Sequence, residues 1–441
     1  MCFVKSRQRL GRRWLTLGLT LAVALSACGG PTGTDSSPGS DAPSTSPAVN
    51  LAAARADLDH ALAQLESIHP DPFHAVDRSA FIDELDALKQ SLDGMTADQA
   101  MVGLMRLWAR LSVERDGHQF AFLAEGADEP VLPIRVYEFD EGVFITAAMS
   151  DDTDLIGTQL VSIDGHPIPD VLAALEPLVP RDGPSTLPAF RPIYLLKVAV
   201  LRGLGLVGDG DVDLEIDDGN DTRTVSVTPV PVADFEEWAG WLAYTGLPPH
   251  DGLRATEQRE ETIWVEHLPE GAIYLRYPAV FDIPQDTIDQ FDAMAEAHPA
   301  ERIILDLRQN PGGDNHNYAN LLSHLTIPEI DRPGRLFVLT DRVTFSAAAN
   351  FSTEIEQKTK AVFVGEAPGG GLNFWDDVTW EHLDDYVVPM RVAISVRYWQ
   401  KSTPDDPRLT IDPDLAVPTL AADYFAGRDP VLEAALTMEP N

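Results

Sequence analysis

A serine hydroxyl becomes a nucleophile only where a base can take its proton and donors await the negative charge it creates. One stretch of this 441-residue chain holds parts of that kind. Ser346 lies in Asp341-Arg342-Val343-Thr344-Phe345-Ser346-Ala347-Ala348-Ala349-Asn350. The alanines and the following Glu354 to Lys360 favour a helix, so the serine falls where a strand end turns into a helix N-terminus. It is then near the positive end of the helix dipole, beside the N–H of Ala347. Upstream, Asn310-Pro311-Gly312-Gly313 is a turn whose paired glycines admit positive φ and leave bare N–H groups facing a ligand. Taken alone, a serine before a helix is an N-cap. Two sets of backbone donors and one hydroxyl at the same carboxyl edge are instead the parts of an acyl-transfer site.

The elements that must position these groups are legible around them. Ile303-Ile304-Leu305 reads as a buried strand ending in Asp306-Leu307-Arg308, Asn315 to Leu325 has leucines and Tyr318 at helical spacing, and Leu336 to Thr340 is a second buried strand. Strand, glycine turn, helix and strand make a βαβ unit. Thr262 to Glu266 and Ala272 to Tyr277 read as two further strands, and Gln285 to Ala297 as a helix entered from Pro284. Beyond the serine, Ala361 to Val364 is a strand that runs into Gly369-Gly370-Gly371-Leu372-Asn373-Phe374-Trp375. Three glycines and Asn373 there could cradle a substrate backbone or form a mobile loop.

These residues carry a resemblance. Asp306-Leu307-Arg308-Gln309-Asn310-Pro311-Gly312-Gly313 and Thr344-Phe345-Ser346-Ala347-Ala348 resemble the strand-turn and nucleophile segments of the C-terminal processing (tail-specific) and tricorn-core serine peptidases. The likeness continues through Val364-Gly365-Glu366 and Ile411-Asp412-Pro413-Asp414 to Arg428-Asp429-Pro430-Val431-Leu432. It implies a mixed α/β fold with a crotonase-like βαβ core over 260–441, Ser346 as nucleophile, and Gly312, Gly313 and Ala347 as oxyanion donors. In processing proteases a lysine about 25 positions beyond the serine acts as base, which here falls on Gly371. No lysine occurs between Lys360 and Lys401, so a Ser/Lys dyad is not expected.

The resemblance supplies another base. Glu114-Arg115-Asp116-Gly117-His118-Gln119-Phe120 is similar to the Asp-Gly-His-Thr segment that presents the histidine in tricorn-type relatives, with Gln119 where threonine is usual. His118 is the expected base, because imidazole titrates near neutrality. Glu366, Asp116 and Asp412 are the candidates to orient it. A strand-entry histidine bonded to backbone is the plain structural alternative.

The front of the chain is a targeting segment over 1–27, with Lys5, Arg7, Arg9, Arg12 and Arg13 ahead of a short apolar run from Leu15 to Leu25. Leu25-Ser26-Ala27-Cys28 resembles the lipobox of bacterial lipoproteins, which would make Cys28 a lipidated residue; a plain signal peptide with a chance cysteine is the other reading. Residues 28–50 are a Gly, Pro, Ser and Thr-rich tether. Cys2 leaves with the signal, so the mature chain has no intramolecular disulfide and no cysteine nucleophile. A formal charge of −38 disfavours a nucleic-acid partner.

Residues 51–125 are patterned as a helical domain of three helices. His69-Pro70-Asp71-Pro72-Phe73-His74 suggests a metal, but the prolines spoil helical ligand geometry and no third ligand is evident, so no metal and no cofactor are expected. Residues 128–235 are β-rich, with an Asp164-Gly165 turn partly similar to a PDZ domain, and Tyr194 to Leu201 reads as a buried helix ending at Gly203. The sequence thus points to an exported, lipid-anchored serine peptidase acting on peptide or protein substrates. The alternative is an inactive binding lipoprotein of the same fold, for a peptide or lipophilic ligand, to which the missing lysine, Gln119 and the aromatic pair Phe374-Trp375 would suit.

Overall fold

The structure is a computed structural model and describes residues 50–124, 129–149, 153–239, 246–257, 259 and 261–438. The expected targeting segment, Cys28 and all of the expected tether but Asn50 lie outside the described residues. Among the described residues, no helix is long and apolar enough to cross a membrane.

A six-stranded sheet carries the C-terminal part, in the order Trp264–Leu268, Ala272–Arg276, Arg302–Asp306, Leu336–Thr340, Val362–Gly365, Leu415–Ala416. The first pair is antiparallel and every later pair parallel. Its middle strands are apolar runs rather than alternations because both faces are covered. Ile303, Leu305 and Val338 pack under the helices Gln285–Ala297, Ala319–Leu325 and Ala347–Lys358, while Ile304, Phe337 and Leu339 pack on the other face against Val431 and Leu432 of the helix Pro430–Thr437. The expected helix from Asn315 begins only at Ala319, because Asn315 to Tyr318 form turns, where Asp314 accepts from the His316 N–H.

The front of the molecule has three helices, α1 (Leu51–Ile68), α2 (Arg78–Ser91) and α3 (Ala97–Ala109). Asp77 caps α2, and Thr96 with Gln99 closes a capping box on α3, fixing where each begins. The middle region is an antiparallel sheet ordered Ile134–Phe139, Gly142–Ala148, Gln159–Ile163, Val212–Asp217, Thr222–Val227. The helix expected over Tyr194 to Gly203 is broken into Thr186–Leu196 and Val198–Gly203. Lys197 is extended there (φ −84°, ψ 105°), bridges to Val131, and places its ammonium on Glu129 at 2.6 Å. A tertiary contact has overridden helical spacing.

One further element ties front to back. A long hairpin, Asn373–Leu383 with Met390–Gln400, pairs through its second strand with the short strand Ala121–Leu123 that follows α3. Leu383, Met390, Val392 and Ile394 of the hairpin share a core with α1, α3 and the middle sheet. The segment before Ala121 is thereby carried to the carboxyl edge of the six-stranded sheet.

Candidate active site

Past Thr340 the chain turns sharply around Asp341, a buried carboxylate that collects the N–H groups of Gln309 and Val343 at 3.0 Å and of Thr344 at 3.1 Å. Thr344 also donates its hydroxyl to Leu307 O at 2.9 Å, so the strand turn and the segment leading to Ser346 are stitched together. Ser346 emerges at φ 51°, ψ −126°. For a residue with a Cβ that conformation costs about 1–3 kcal/mol and persists only where the surroundings impose it. Ser346 occupies the cap position of the helix Ala347–Lys358, yet its hydroxyl caps no N–H. It donates instead to Asp376 Oδ2 at 3.1 Å. The simple N-cap reading does not describe it.

The glycine turn lies directly beneath. Phe345 N–H donates to Asn310 O at 3.0 Å, and a Cβ on Gly312 (φ 109°) would stand 2.6 Å from Ser346 Cβ. Only glycine admits that approach. Gly312 N–H is spent on Asn310 Oδ1 at 2.9 Å, which corrects the expectation that it faces a ligand. Among the described residues, the N–H groups of Gly313 and Ala347 have no hydrogen-bond acceptor, which leaves them free to meet a ligand. The turn is buttressed from below: the Arg308 guanidinium spans Asp306 (Nη2 to Oδ2, 2.6 Å) and Asp429 (Nη1 to Oδ1, 2.6 Å), and Asp429 also caps the C-terminal helix through Leu432 N–H at 3.0 Å.

His118 arrives from the loop before Ala121–Leu123. Its ring stacks on Phe345 at 4.7 Å and on Phe374 at 5.7 Å, and its Nε2 approaches Asp376 Oδ1 at 3.3 Å. His118 and Ser346 therefore meet two oxygens of one carboxylate. Among the described residues no hydrogen bond joins them directly, which differs from the contact expected of a Ser/His pair. His118 and Asp376 are only 8% and 7% exposed, and Ser346 is half-buried, so the hydroxyl is the part within a ligand's reach.

The loop bearing His118 is held on several sides. Trp375 N–H donates to Arg115 O at 2.7 Å, and Asp182 of the middle region accepts from Gly117 N–H at 2.6 Å and from Gly371 N–H at 3.1 Å. Burial pushes the Asp182 carboxyl up to about 6, opposed by the nearby His118 charge. Space at Gly117 is tight: a Cβ there would meet Asp182 N and the Phe345 ring at 3.1 Å.

None of the three expected orienting acids meets His118. Asp116 accepts from His69 Nε2 at Oδ2 (3.2 Å) and from the Ser395 hydroxyl at Oδ1 (2.6 Å); burial pushes its carboxyl up to about 8 and His69 down to about 4. Glu366 is taken by Arg342 (2.7 and 2.9 Å) and by Thr419 N–H at 2.8 Å. Asp412 is exposed. The expected substrate loop is also corrected. Gly369, Gly370 and Gly371 are buried behind the Ser346 turn, where a Cβ on Gly370 would lie 2.5 Å from Ala349 Cβ, and Asn373 braces Lys401 and Ser402 N–H groups at 2.8 and 2.9 Å. Phe374 is fully buried against His118, so the aromatic pair offers no open lipophilic cradle. Asp376 and Asp182 escaped the sequence reading. A double acid, Asp376-Asp377, inside the aromatic run Phe374 to Trp380 was the available signal for the first; Asp182 carries none.

No protein-family model and no curated protein matches the sequence. The fold does have solved counterparts. A point mutant of CPAF matches with a TM-score of 0.60 at 14% identity, covering 89% of this chain and 99% of that one. Mature CPAF complexed with lactacystin matches with a TM-score of 0.57 at 14% identity, covering 87% and 97%. The photosystem II D1 C-terminal processing protease matches with a TM-score of 0.40 at 15% identity, covering 82% and 92%. The mixed α/β architecture is thus shared with CPAF over nearly the whole length of both chains.

Proposed function

We propose that this chain is a serine peptidase of the C-terminal processing and tricorn type, which cleaves peptide bonds through an acyl-enzyme on Ser346. The observation that carries the reading is the strained Ser346 turn, with the hydroxyl directed at Asp376, His118 on the other carboxylate oxygen, and two unoccupied N–H groups alongside. The shared fold with CPAF and the two sequence motifs support it independently.

In this scheme Ser346 Oγ attacks a peptide carbonyl as its proton passes to Asp376 Oδ2. His118, whose Nε2 holds Oδ1, stabilises the carboxylate between steps, and the Asp376–His118 pair together acts as the base. The oxyanion rests on the N–H groups of Gly313 and Ala347, each donor of this kind contributing roughly 3–4 kcal/mol to the barrier reduction. Collapse breaks the C–N bond, and the leaving amine takes the proton from Asp376. Water then gives a proton to the same oxygen as it attacks the ester, and Ser346 recovers its hydrogen when acid product leaves. The export and lipid attachment of Cys28 belong to the same proposal and rest on the targeting segment and its Leu-Ser-Ala-Cys end.

One observation favours the other reading, a binding lipoprotein for a peptide or lipophilic ligand: Asp376 stands where direct imidazole contact was expected. A serine-directed fluorophosphonate and a peptide library decide between them. Labelling and cleavage by the natural sequence, both abolished in Ser346→Ala, are expected. An unlabelled protein that retains peptides uncut overturns the peptidase. Lactacystin, which forms a complex with CPAF, is a second probe to be tried on the same pair of proteins.

A further inference from the structure

Two groups of side chains bring imidazole and carboxylate atoms within 4.8 Å of one another, His69 with His74 and Asp116, and His267 with His298 and Glu301. They differ in what their protons are already doing. In the first, Asp71 N–H donates to His69 Nδ1 at 3.0 Å. A neutral His69 must then carry its proton on Nε2, where it is given to Asp116 at 3.2 Å, and that nitrogen has no lone pair for a metal. His74 turns one nitrogen to Asp71 O at 3.0 Å and the other to Glu114 O at 3.2 Å, so both are occupied. This group is closed by its own hydrogen bonds.

The second group is open. His267 lies on the edge strand Trp264–Leu268, His298 caps the end of the helix Gln285–Ala297, and Glu301 follows in the turn leading to Arg302–Asp306. His267 Nε2 meets Glu301 Oε2 at 2.6 Å and His298 Nδ1 meets Glu301 Oε1 at 3.0 Å, with the two rings stacked at 4.2 Å. Among the described residues the second nitrogen of each ring has no partner, and both rings are about one-third exposed. Each histidine can therefore move its proton to the outer nitrogen and leave the inner lone pair to a cation. We infer that His267, His298 and Glu301 form a binding site for a first-row divalent transition ion of the zinc class.

The donor set selects that class. Two imidazoles and one carboxylate suit zinc and its neighbours, whereas calcium and magnesium call for oxygen ligands. Zinc–ligand distances of about 2.0–2.2 Å place neighbouring donors about 3.3 Å apart, a few tenths of an ångström beyond the 2.6 and 3.0 Å contacts of Glu301 with the two rings, and a fourth position is left for water. A formal charge of −38 raises the local concentration of cations around the protein. The site sits at the opening end of strand Arg302–Asp306, whereas Ser346 follows the closing end of its parallel neighbour Leu336–Thr340. It is thus outside the proposed hydrolytic machinery, and joins the helix end to the sheet edge.

The test is competition between chelator-treated protein and a chromophoric zinc chelator, with circular dichroism to confirm that each variant is folded. One equivalent of Zn²⁺ is expected to bind, with affinity at least ~10-fold weaker in His298→Ala and in Glu301→Gln, and unchanged in His74→Ala. Added Zn²⁺ should also raise the thermal midpoint of the natural sequence and not of His298→Ala. Absence of saturable uptake at roughly millimolar Zn²⁺, or equal uptake by His298→Ala and the natural sequence, overturns the site.

Discussion

The two halves of the candidate active site are set in opposite ways. At the carboxyl edge of the six-stranded sheet, the hydroxyl and the two free N–H groups are placed by backbone conformation, with positive φ at Gln309, Gly312 and Gly313 in one turn and at Ser346 in the next. Across from it, His118 and Asp376 are placed by side-chain and loop bonds from three distant segments, the loop after α3, Asp182 of the middle region, and the long hairpin. The first half is local and strained, the second is assembled by the fold. A local half tolerates little change in residue type, whereas an assembled half depends on every segment that contributes to it.

The largest effects should come from the assembled half, where one carboxylate serves two partners. Asp376→Asn keeps the shape but replaces one acceptor by a donor, and a loss of roughly 10²–10⁴-fold in kcat/KM is expected, with the thermal midpoint nearly unchanged. If Asp376→Asn retains near-full turnover while His118→Ala abolishes it, Asp376 is only a bystander and the division drawn here fails. Next is the backbone half. Gly312→Ala forces a Cβ to 2.6 Å from Ser346 Cβ at φ 109°. It should lower turnover by about 100-fold and destabilise the fold by about 1–3 kcal/mol, measured by peptide hydrolysis and urea titration. Gly371→Ala, whose nearest neighbour would be Leu409 O at 3.2 Å without positive φ, should cost clearly less in the same assays. Equal losses would show that tight packing, rather than backbone conformation, is what the turn requires.

A smaller effect tests the link between the halves. Burial raises the Asp182 carboxyl to about 6, above its ordinary 3.8. The folded state then holds a proton that the unfolded chain has already released. The stabilisation this gives is complete below about pH 4 and is lost as pH rises through about 6. Between about pH 5 and 7 the natural sequence should therefore lose about 1 kcal/mol of unfolding free energy relative to Asp182→Ala, read by urea titration at both values. A constant difference would mean that Asp182 is ionised throughout. Smallest of all, Asp412→Asn should change neither turnover nor stability by more than about 0.5 kcal/mol, since its carboxyl is exposed.

This division also explains what was legible in the sequence. The backbone-set half could be found because its conformational demands are written in adjacent residues: Asn310 to Gly313 for the turn, a strand ending at Thr340, and alanines opening a helix after Ser346. The helices α1, α2 and α3 were legible for the same reason, through spacing and caps. Asp376 was not, because its importance comes from hairpin pairing that brings it beside a histidine 258 positions earlier in the chain. Glu366 illustrates the converse: proximity to a motif made it a candidate, yet Arg342 claims its carboxylate. The break at Lys197 was hidden for a related reason, since only its buried partner Glu129 accounts for it.

The Arg308 clamp has a consequence for how a disturbance spreads through the molecule. Its outer carboxylate belongs to Asp429, 121 positions along the chain from Arg308, and removing one partner of a buried pair of this kind costs about 3–5 kcal/mol. Asp429 also caps the helix Pro430–Thr437 through Leu432 N–H, so fraying of that helix and loosening of the strand end before the glycine turn are one coupled event.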